Sequence, residues 1–244
     1  MPLIAIGDIH GCVTALRTLE RLVPLGRGET LVTLGDYVDR GPQSREVLDW
    51  LIGYRSRGGQ LISLLGNHEL MMLRARKGVL ARNRWLANGG LETLRSYASS
   101  GAPPDSPVQE DQGQISRSLR AFSLEEIPAA HWSFLESCAP YHETDSHLFV
   151  HANLDPDQPM AEQTEENLFW QRLGNPKPHV SGKHMICGHT PQSDGEPRAL
   201  PHATCIDTMA YAGGWLTALD VETGQCWQAN EQGEARSAYL ALDP

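Results

Sequence analysis

The chain has 244 residues, 40% of them hydrophobic and 20% charged, with a formal net charge of -10. That length suits one large domain with a substantial core, and no apolar stretch approaches the length of a membrane span. The acidic balance excludes nonspecific nucleic-acid binding but leaves phosphorylated substrates open, because bound divalent ions would bring positive charge to the one place that needs it. Pro2 leads directly into a strand-like run, so no signal peptide is expected and the expected location is cytoplasmic, with no membrane partner. The five cysteines are odd in number and form no CxxC pair, so reduced, buried thiols are expected.

Five short apolar runs each lead into a motif rich in metal-ligand side chains. Pro2 to Ile6 runs into Gly-Asp8-Ile-His10-Gly. Leu16, Leu19, Leu22 and Val23 then recur at helical spacing, ended by Pro24 and the glycine-rich stretch to Gly28. Thr30 to Leu34 runs into Gly-Asp36-Tyr-Val-Asp39-Arg40-Gly. Past Pro42, residues Val47, Leu48, Leu51 and Ile52 make a second helical stripe, closed by Gly58-Gly59. Leu61 to Leu65 runs into Gly-Asn67-His68-Glu69, and a third helix is predicted from near His68, with Met71 and Met72 as core filler. Strand-helix-strand units of this size predict an α/β fold with parallel pairing and right-handed crossovers.

Gly101 to Gln114 is polar, proline-rich and aperiodic, and reads as an exposed loop or flap. Ser123 to Glu126 fits a helix capping box ahead of His131, Trp132 and Leu135. His147 to Val150 leads into His151-Ala-Asn, and His184 to Cys187 leads into Gly-His189-Thr. Residues 155–182 between them form a long connection broken by prolines, with an apolar knot at Leu168-Phe169-Trp170. From Ala203 the pattern turns to short β-like runs: Ala203 to Ile206, Trp215 to Leu219 and Cys226 to Gln228, with a hairpin turn at Thr223-Gly224. The whole reads as a single domain over residues 1–244, with a flap at 101–114 and an insertion at 155–182.

In an open α/β sheet, ligands bind beyond the carboxyl ends of the strands. Five such loops would deliver Asp, Asn and His side chains to one place, a mixed oxygen and imidazole donor set that suits divalent metals. Asp8 and His10 are two apart, and strand periodicity would aim both at one ion. Asp36 could bridge two ions, with Asp8 and His10 completing the first site and Asn67, His151 and His189 the second. Each residue alone has an ordinary reading, as a turn-capping Asp or a surface His; six ligands at five strand ends do not arise easily by accident. Two metals roughly 3.5–4 Å apart acidify a trapped water and hold the oxygens of an in-line displacement, so a metal-bridging hydroxide would attack phosphorus directly. His68, kept protonated by Asp39, would serve as general acid for the leaving alkoxide. The guanidinium forks of Arg40 and, on weaker grounds of spacing, Arg172 suit phosphate oxygens, with Asn67 also facing the phosphate. The donor set accepts manganese, iron or zinc alike.

Taken together, Gly7-Asp8-Ile-His10-Gly11, Gly35-Asp36-Tyr-Val-Asp39-Arg40-Gly41 and Gly66-Asn67-His68-Glu69 resemble the signature of the phosphoprotein phosphatase family of calcineurin-like metallophosphoesterases. His151 and Gly188-His189-Thr190 resemble that family's two later ligand histidines, and order and spacing match over roughly residues 3 to 190. Trp85-Leu-Ala-Asn88-Gly89-Gly90, Phe169-Trp170-Gln-Arg172 and Ile206-Asp207-Thr208 are similar to segments of the bacterial and phage-lambda-like branch. His151 is followed by Ala-Asn, where that branch commonly carries Gly-Gly or Ala-Gly. The resemblance implies an αββα sandwich, two divalent ions with manganese or iron foremost, a phosphate role for Arg172, and hydrolysis of phosphoserine and phosphothreonine esters in phosphorylated proteins, extending to phosphotyrosine.

Two other expectations compete. Symmetrical dinucleoside polyphosphate hydrolases, which cleave diadenosine tetraphosphate, share the motifs; they would need a surface for adenine, for which Trp85, Trp170 and Tyr211 are the candidates. An inactive phospho-binding module would have lost ligands or the acid, and here all are present.

Overall fold

In the computed structural model, which describes residues 2–23, 25, 28–98 and 124–241, two sheets stack face to face. One contains β1 (Leu3–Ile6), β2 (Thr30–Thr33), β3 (Gln60–Ser63), β9 (Leu216–Asp220), β10 (Gln225–Ala229) and β11 (Ala235–Tyr239), in the order β11-β10-β9-β1-β2-β3. Its first three strands pair in parallel and its last three join antiparallel. The other contains β4 (Tyr141–Glu143), β5 (His147–Val150), β6 (His184–Cys187), β7 (Arg198–Leu200) and β8 (Ala203–Cys205), in the order β4-β5-β6-β8-β7, with β5, β6 and β8 parallel.

The central strands are buried on both faces, which is why they read as continuous apolar runs. Alternation is still present in where each residue goes. Ile4 and Ile6 face α1 (Val13–Leu22) and α2 (Ser44–Ser56), packing with Leu16, Leu19, Val47, Leu48 and Leu51, whereas Ala5 joins Val32, Phe149, Ile186 and Leu219 between the sheets. On the far side, Leu148, Val150, Met185 and Cys187 pack against Leu154, Met160, Leu168 and Phe169. Each fully buried Leu or Ile contributes roughly 1.5–3 kcal/mol against the entropy of ordering the chain. The layers are therefore helix, sheet, sheet and helix, as in an αββα sandwich.

Two expectations need amendment, and two fall on residues outside those described. Leu34 and Leu65 fall outside their strands, because β2 ends at Thr33 and β3 at Ser63. Residues 155–182 are not a loose insertion: they carry α7 (Glu165–Phe169) and form the outer layer of the second sheet. Ser123, the first residue of the expected capping box, lies outside the described residues; Leu124–Glu126 is a 3-10 turn, and α6 (Ala129–Glu136) starts after Pro128. The flap at 101–114 lies outside the described residues. All five cysteines are free, and no helix among the described residues is long and apolar enough to cross a membrane. Between β3 and α6 the chain adds α3 (Asn67–Ala75), α4 (Val79–Trp85), one π-helical turn (Leu86–Gly90) and α5 (Leu91–Tyr97), which pack over the carboxyl end of the first sheet.

Candidate metal centre

The carboxyl ends of β1, β2, β3, β5 and β6 deliver Asp8 and His10, then Asp36, Asp39 and Arg40, then Asn67 and His68, then His151, then His189. Asp36 stands between two clusters. His10 Nε2 is 3.4 Å from its Oδ2, and His151 Nε2 is 3.5 Å from its Oδ1. In each of the groups His10-Asp36-His68 and Asp36-His151-His189, potential ligand atoms lie within 4.8 Å of one another. Asn67 Oδ1 is 2.9 Å from His151 Nε2 and 3.1 Å from His189 Nδ1.

Strand periodicity does not set the aim of Asp8 and His10. β1 ends at Ile6, and His10 sits in a turn at φ 45°. Asp36, Asp39, Arg40 and His189 also have positive φ, at 50°, 72°, 67° and 58°. Such backbone costs about 1–3 kcal/mol per residue and persists only where the surroundings fix it. Here they do. The Ile9 and His10 amides both donate to the Asp36 carbonyl, at 3.0 and 2.8 Å. The buried Glu69 carboxylate accepts from the amides of Asp36 (2.7 Å), Tyr37 (2.7 Å), Val38 (3.2 Å) and Gly66 (3.0 Å), pinning the β2 loop to the start of α3. Gly41 and Gly66 allow the loops to close, since a Cβ at Gly41 would strike the His10 carbonyl and one at Gly66 the Asp36 carboxylate.

The imidazoles show what the site asks for. His10 Nδ1 faces the Val38 carbonyl at 2.8 Å, His151 Nδ1 the Leu34 carbonyl at 2.9 Å, and His189 Nε2 the Trp170 carbonyl at 3.1 Å. A carbonyl only accepts, so each of these nitrogens carries the proton. Burial lowers the pKa of His10 to about 3 and of His189 to about 4, and lowers that of His151 as well. All three rings are therefore neutral at neutral pH, and the inner nitrogen of each is a bare lone pair. Those lone pairs face carboxylate and amide oxygens, an arrangement that a cation between them would make favourable. Outer-nitrogen hydrogen bonds of this kind orient metal-binding histidines.

The carboxylates point the same way. Asp8 accepts the His189 amide at 3.1 Å, and burial together with Asp207 and Asp36 pushes its pKa up. Burial takes Asp207 to about 6. Burial also acts on Asp36, but the surrounding His151, His68, His10 and His189 hold it well below the usual carboxylate range. Buried carboxyl groups crowded in this way suit a site that receives positive charge.

His68 differs from the other rings. Its Nδ1 lies 2.7 Å from Asp39 Oδ2, and its Nε2 turns toward the centre, 4.0 Å from Asp36 Oδ2 and 3.2 Å from Arg40 Nη2. Burial works against the charged ring, but Asp36 and Asp39 outweigh it and raise its pKa. The Arg40 guanidinium rests on the Tyr211 ring, with Cζ 4.5 Å from its centroid. Arg172 follows by two residues Trp170, whose carbonyl faces His189. Its exposed side chain lines a cavity of about 350 Å³ with Gln171, Lys177 and His179, and none of the ligand residues lines that cavity.

Asp207, Glu69 and Tyr211 belong to the site's framework and were not singled out there by the sequence. Glu69 could have been found, since it ends the third motif; Asp207 had only its likeness to the closing strands. Of the proposed adenine surfaces, Trp85 is excluded, because it is wholly buried with its N–H on Asp39. Trp170 is half-buried under Arg84, and Tyr211 under Arg40.

A two-sheet fold with paired His and Asp clusters at its strand ends defines a metallohydrolase scaffold. The chain belongs to the calcineurin-like phosphoesterase family, whose pattern matches residues 1–211. It is 31% identical to serine/threonine-protein phosphatase 1 of Salmonella typhimurium over 225 residues, covering 89% of this chain and 90% of that protein. It is also 43% identical, over 79 residues, to the symmetrical bis(5'-nucleosyl)-tetraphosphatase of Chromobacterium violaceum; this stretch is 32% of the chain and spans only 27% of that relative. Among solved structures, a provisionally named diadenosine tetraphosphatase superposes with a TM-score of 0.63 at 22% identity, covering 97% of this chain and 92% of that one. A cold-active protein tyrosine phosphatase of a Shewanella species superposes with a TM-score of 0.60 at 18% identity, covering 96% and 79%. At these identities the superpositions speak for the fold alone.

Proposed function

We propose that the chain is a cytoplasmic, metal-dependent phosphatase that hydrolyses phosphoserine and phosphothreonine esters in proteins, with phosphotyrosine as a further substrate. The observation that carries the metal requirement is the set of three neutral imidazoles whose outer nitrogens are taken by carbonyls and whose inner nitrogens converge on oxygens. In this reading Asp8, His10 and Asp36 hold one divalent ion and Asp36, Asn67, His151 and His189 the other. The oxygen and nitrogen donors suit manganese first, with iron and zinc also accepted. Two such ions supply charge that steadies phosphate oxygens and acidifies water.

The chain's own residues then do the rest. Asp39 holds the His68 Nδ1 proton and aims Nε2 at the centre, where it donates a proton to the departing serine or threonine oxygen as the P–O bond breaks. Arg40 grips two phosphate oxygens. In the free protein Arg40 donates to His68 Nε2, so the incoming phosphate draws the guanidinium away before that nitrogen carries a proton. Arg172 is a further ligand for the phosphate in this reading.

The choice of a protein substrate is supported by the end-to-end similarity to the Salmonella phosphatase. Hydrolysis of dinucleoside polyphosphates is the second reading, favoured by several tetraphosphatases that are 40–45% identical over short stretches. Those stretches leave two-thirds of this chain uncompared, and substrate choice resides in loops beyond the shared metal chemistry. Assaying a phosphoserine peptide and diadenosine tetraphosphate side by side, with manganese present, separates the two. The peptide is expected to give the higher kcat/KM; a strong preference for the dinucleotide would reverse the assignment. Absence of manganese-stimulated turnover on either would leave the phospho-binding module as the better account.

A further inference from the structure

Trp85 is the most voluminous wholly buried side chain in the described molecule, and it is spent on a single carboxylate. It is the last residue of α4, and its indole Nε1 lies 2.9 Å from both oxygens of Asp39. Thr93, on α5, brings its hydroxyl to 2.7 Å from Asp39 Oδ1. The Asp39 amide in turn lies 2.8 Å from the Thr93 hydroxyl and 3.1 Å from that of Ser44. Oδ2 then faces His68 Nδ1 at 2.7 Å. Asp39, Trp85, Thr93 and His68 are all at most 1% exposed, so no water competes for these contacts.

The backbone around Trp85 is shaped for this. The chain passes from α4 through a kink in which Asn88 and Gly89 leave helical geometry, Gly89 at φ 104°. A Cβ at Gly90 would collide with the Trp85 indole, and one at Gly89 would come within 2.9 Å of the Arg40 nitrogen and 3.0 Å of its Cγ. The Gly89 carbonyl also accepts the Arg40 amide at 3.3 Å. One irregular turn thus seats the indole on Asp39 and closes the backbone over Arg40.

We infer that Trp85 and Thr93 are positioning residues for the proton donor, acting through Asp39 to fix the direction in which His68 presents Nε2. Indole only donates, so Trp85 requires Asp39 to be an acceptor on both oxygens. With one oxygen shared between Trp85 and Thr93 and the other between Trp85 and His68, the carboxylate cannot rotate without losing a partner it has no water to replace. The His68 ring is thereby locked. The inference rests on the reading of His68 as general acid, and it adds a leverage point outside the ligand motifs: a residue that touches neither metal ligand nor phosphate and still governs the proton-transfer step.

The test uses the full-length, manganese-loaded protein with Trp85→Phe, which removes the N–H while keeping an aromatic ring, and Thr93→Val, which removes the hydroxyl at nearly constant volume. Each is read on a phosphoserine peptide, whose alkoxide needs a proton to leave, and on nitrophenyl phosphate, whose leaving group does not. The expected result is a fall in kcat of about tenfold on the peptide, with KM and nitrophenyl phosphate turnover within about twofold and metal content unchanged, since small misplacements of a catalytic group cost on this scale. In a His68→Asn background, Trp85→Phe should add nothing further on the peptide, because residues that act as a unit are non-additive. Equal losses on both substrates, or independent losses in the double variant, would overturn the inference. Should Trp85→Phe fail to fold, Thr93→Val decides by the same criteria. The underlying reading fails separately: His68→Asn would then lower both substrates alike.

Discussion

At the scale of the residue, the contrast between His68 and the other buried histidines organises the centre. His10, His151 and His189 each give their outer N–H to a backbone carbonyl, while His68 gives it to a carboxylate. A carbonyl leaves the ring neutral, with a free lone pair, whereas a carboxylate favours the imidazolium, which is why the proposed reading gives His68 the proton. His68→Asn is therefore expected to retain the metals and to lower kcat on alkyl phosphoesters by about a hundredfold or more, the usual scale of general acid catalysis, with a much smaller effect on nitrophenyl phosphate. Steady-state kinetics on both substrates checks this, and matched losses would remove His68 from the proton-transfer step. Much of this was legible in the sequence. Asp8, His10, Asp36, Asn67, His151 and His189 could be picked out because each follows an apolar run that could only be a buried strand. The partners of Asp39 could not, since Trp85 and Thr93 are 46 and 54 residues away in the chain, neither carries a charge, and the resemblance of the segment that Trp85 opens says nothing of its contact with Asp39.

At the scale of the element, the decisive join is between the β2 loop and the start of α3. Glu69 satisfies four amides there, three of them in the strained segment Asp36 to Val38. In Glu69→Gln one acceptor oxygen becomes an NH2 group facing N–H donors. The expected cost is about 2–4 kcal/mol, from two or more amides left unsatisfied in a buried place. Urea denaturation of the metal-free protein checks it; a loss below roughly 0.5 kcal/mol, the level of an ordinary surface change, would show that the loop holds its shape without Glu69. The parallel strands and their helices were legible because a strand buried on both faces and an amphipathic helix have distinct periods. β11 was not, as every residue in it is exposed and its pattern is polar.

At the scale of the whole molecule, the split of the motif-bearing strands between two sheets makes the centre a joint between them. β1, β2 and β3 supply it from one sheet, β5 and β6 from the other. The sequence implied convergence at strand ends but not this partition, which depends on β5 pairing with β4 and β6 rather than with β3. Ions held across such a joint tie the sheets together, and they offset the crowded carboxyl groups of Asp8, Asp36 and Asp207 in a chain with a net charge of -10. Binding to the folded state alone at a hundred times Kd adds about 2.7 kcal/mol per site. Chelation should therefore lower Tm by roughly 10 °C for a protein of this size, with manganese restoring it. A Tm indifferent to chelator would mean that no ion binds the folded state tightly.

The claim on which the rest depends is that Asp36 serves two ions at once. Elemental analysis of the purified protein beside Asp36→Asn tests it most directly. Two metal equivalents per chain are expected in the unaltered protein, with the variant losing metal from both sites together; a variant that keeps its full complement, or loses one ion and retains the other undiminished, would contradict the shared carboxylate.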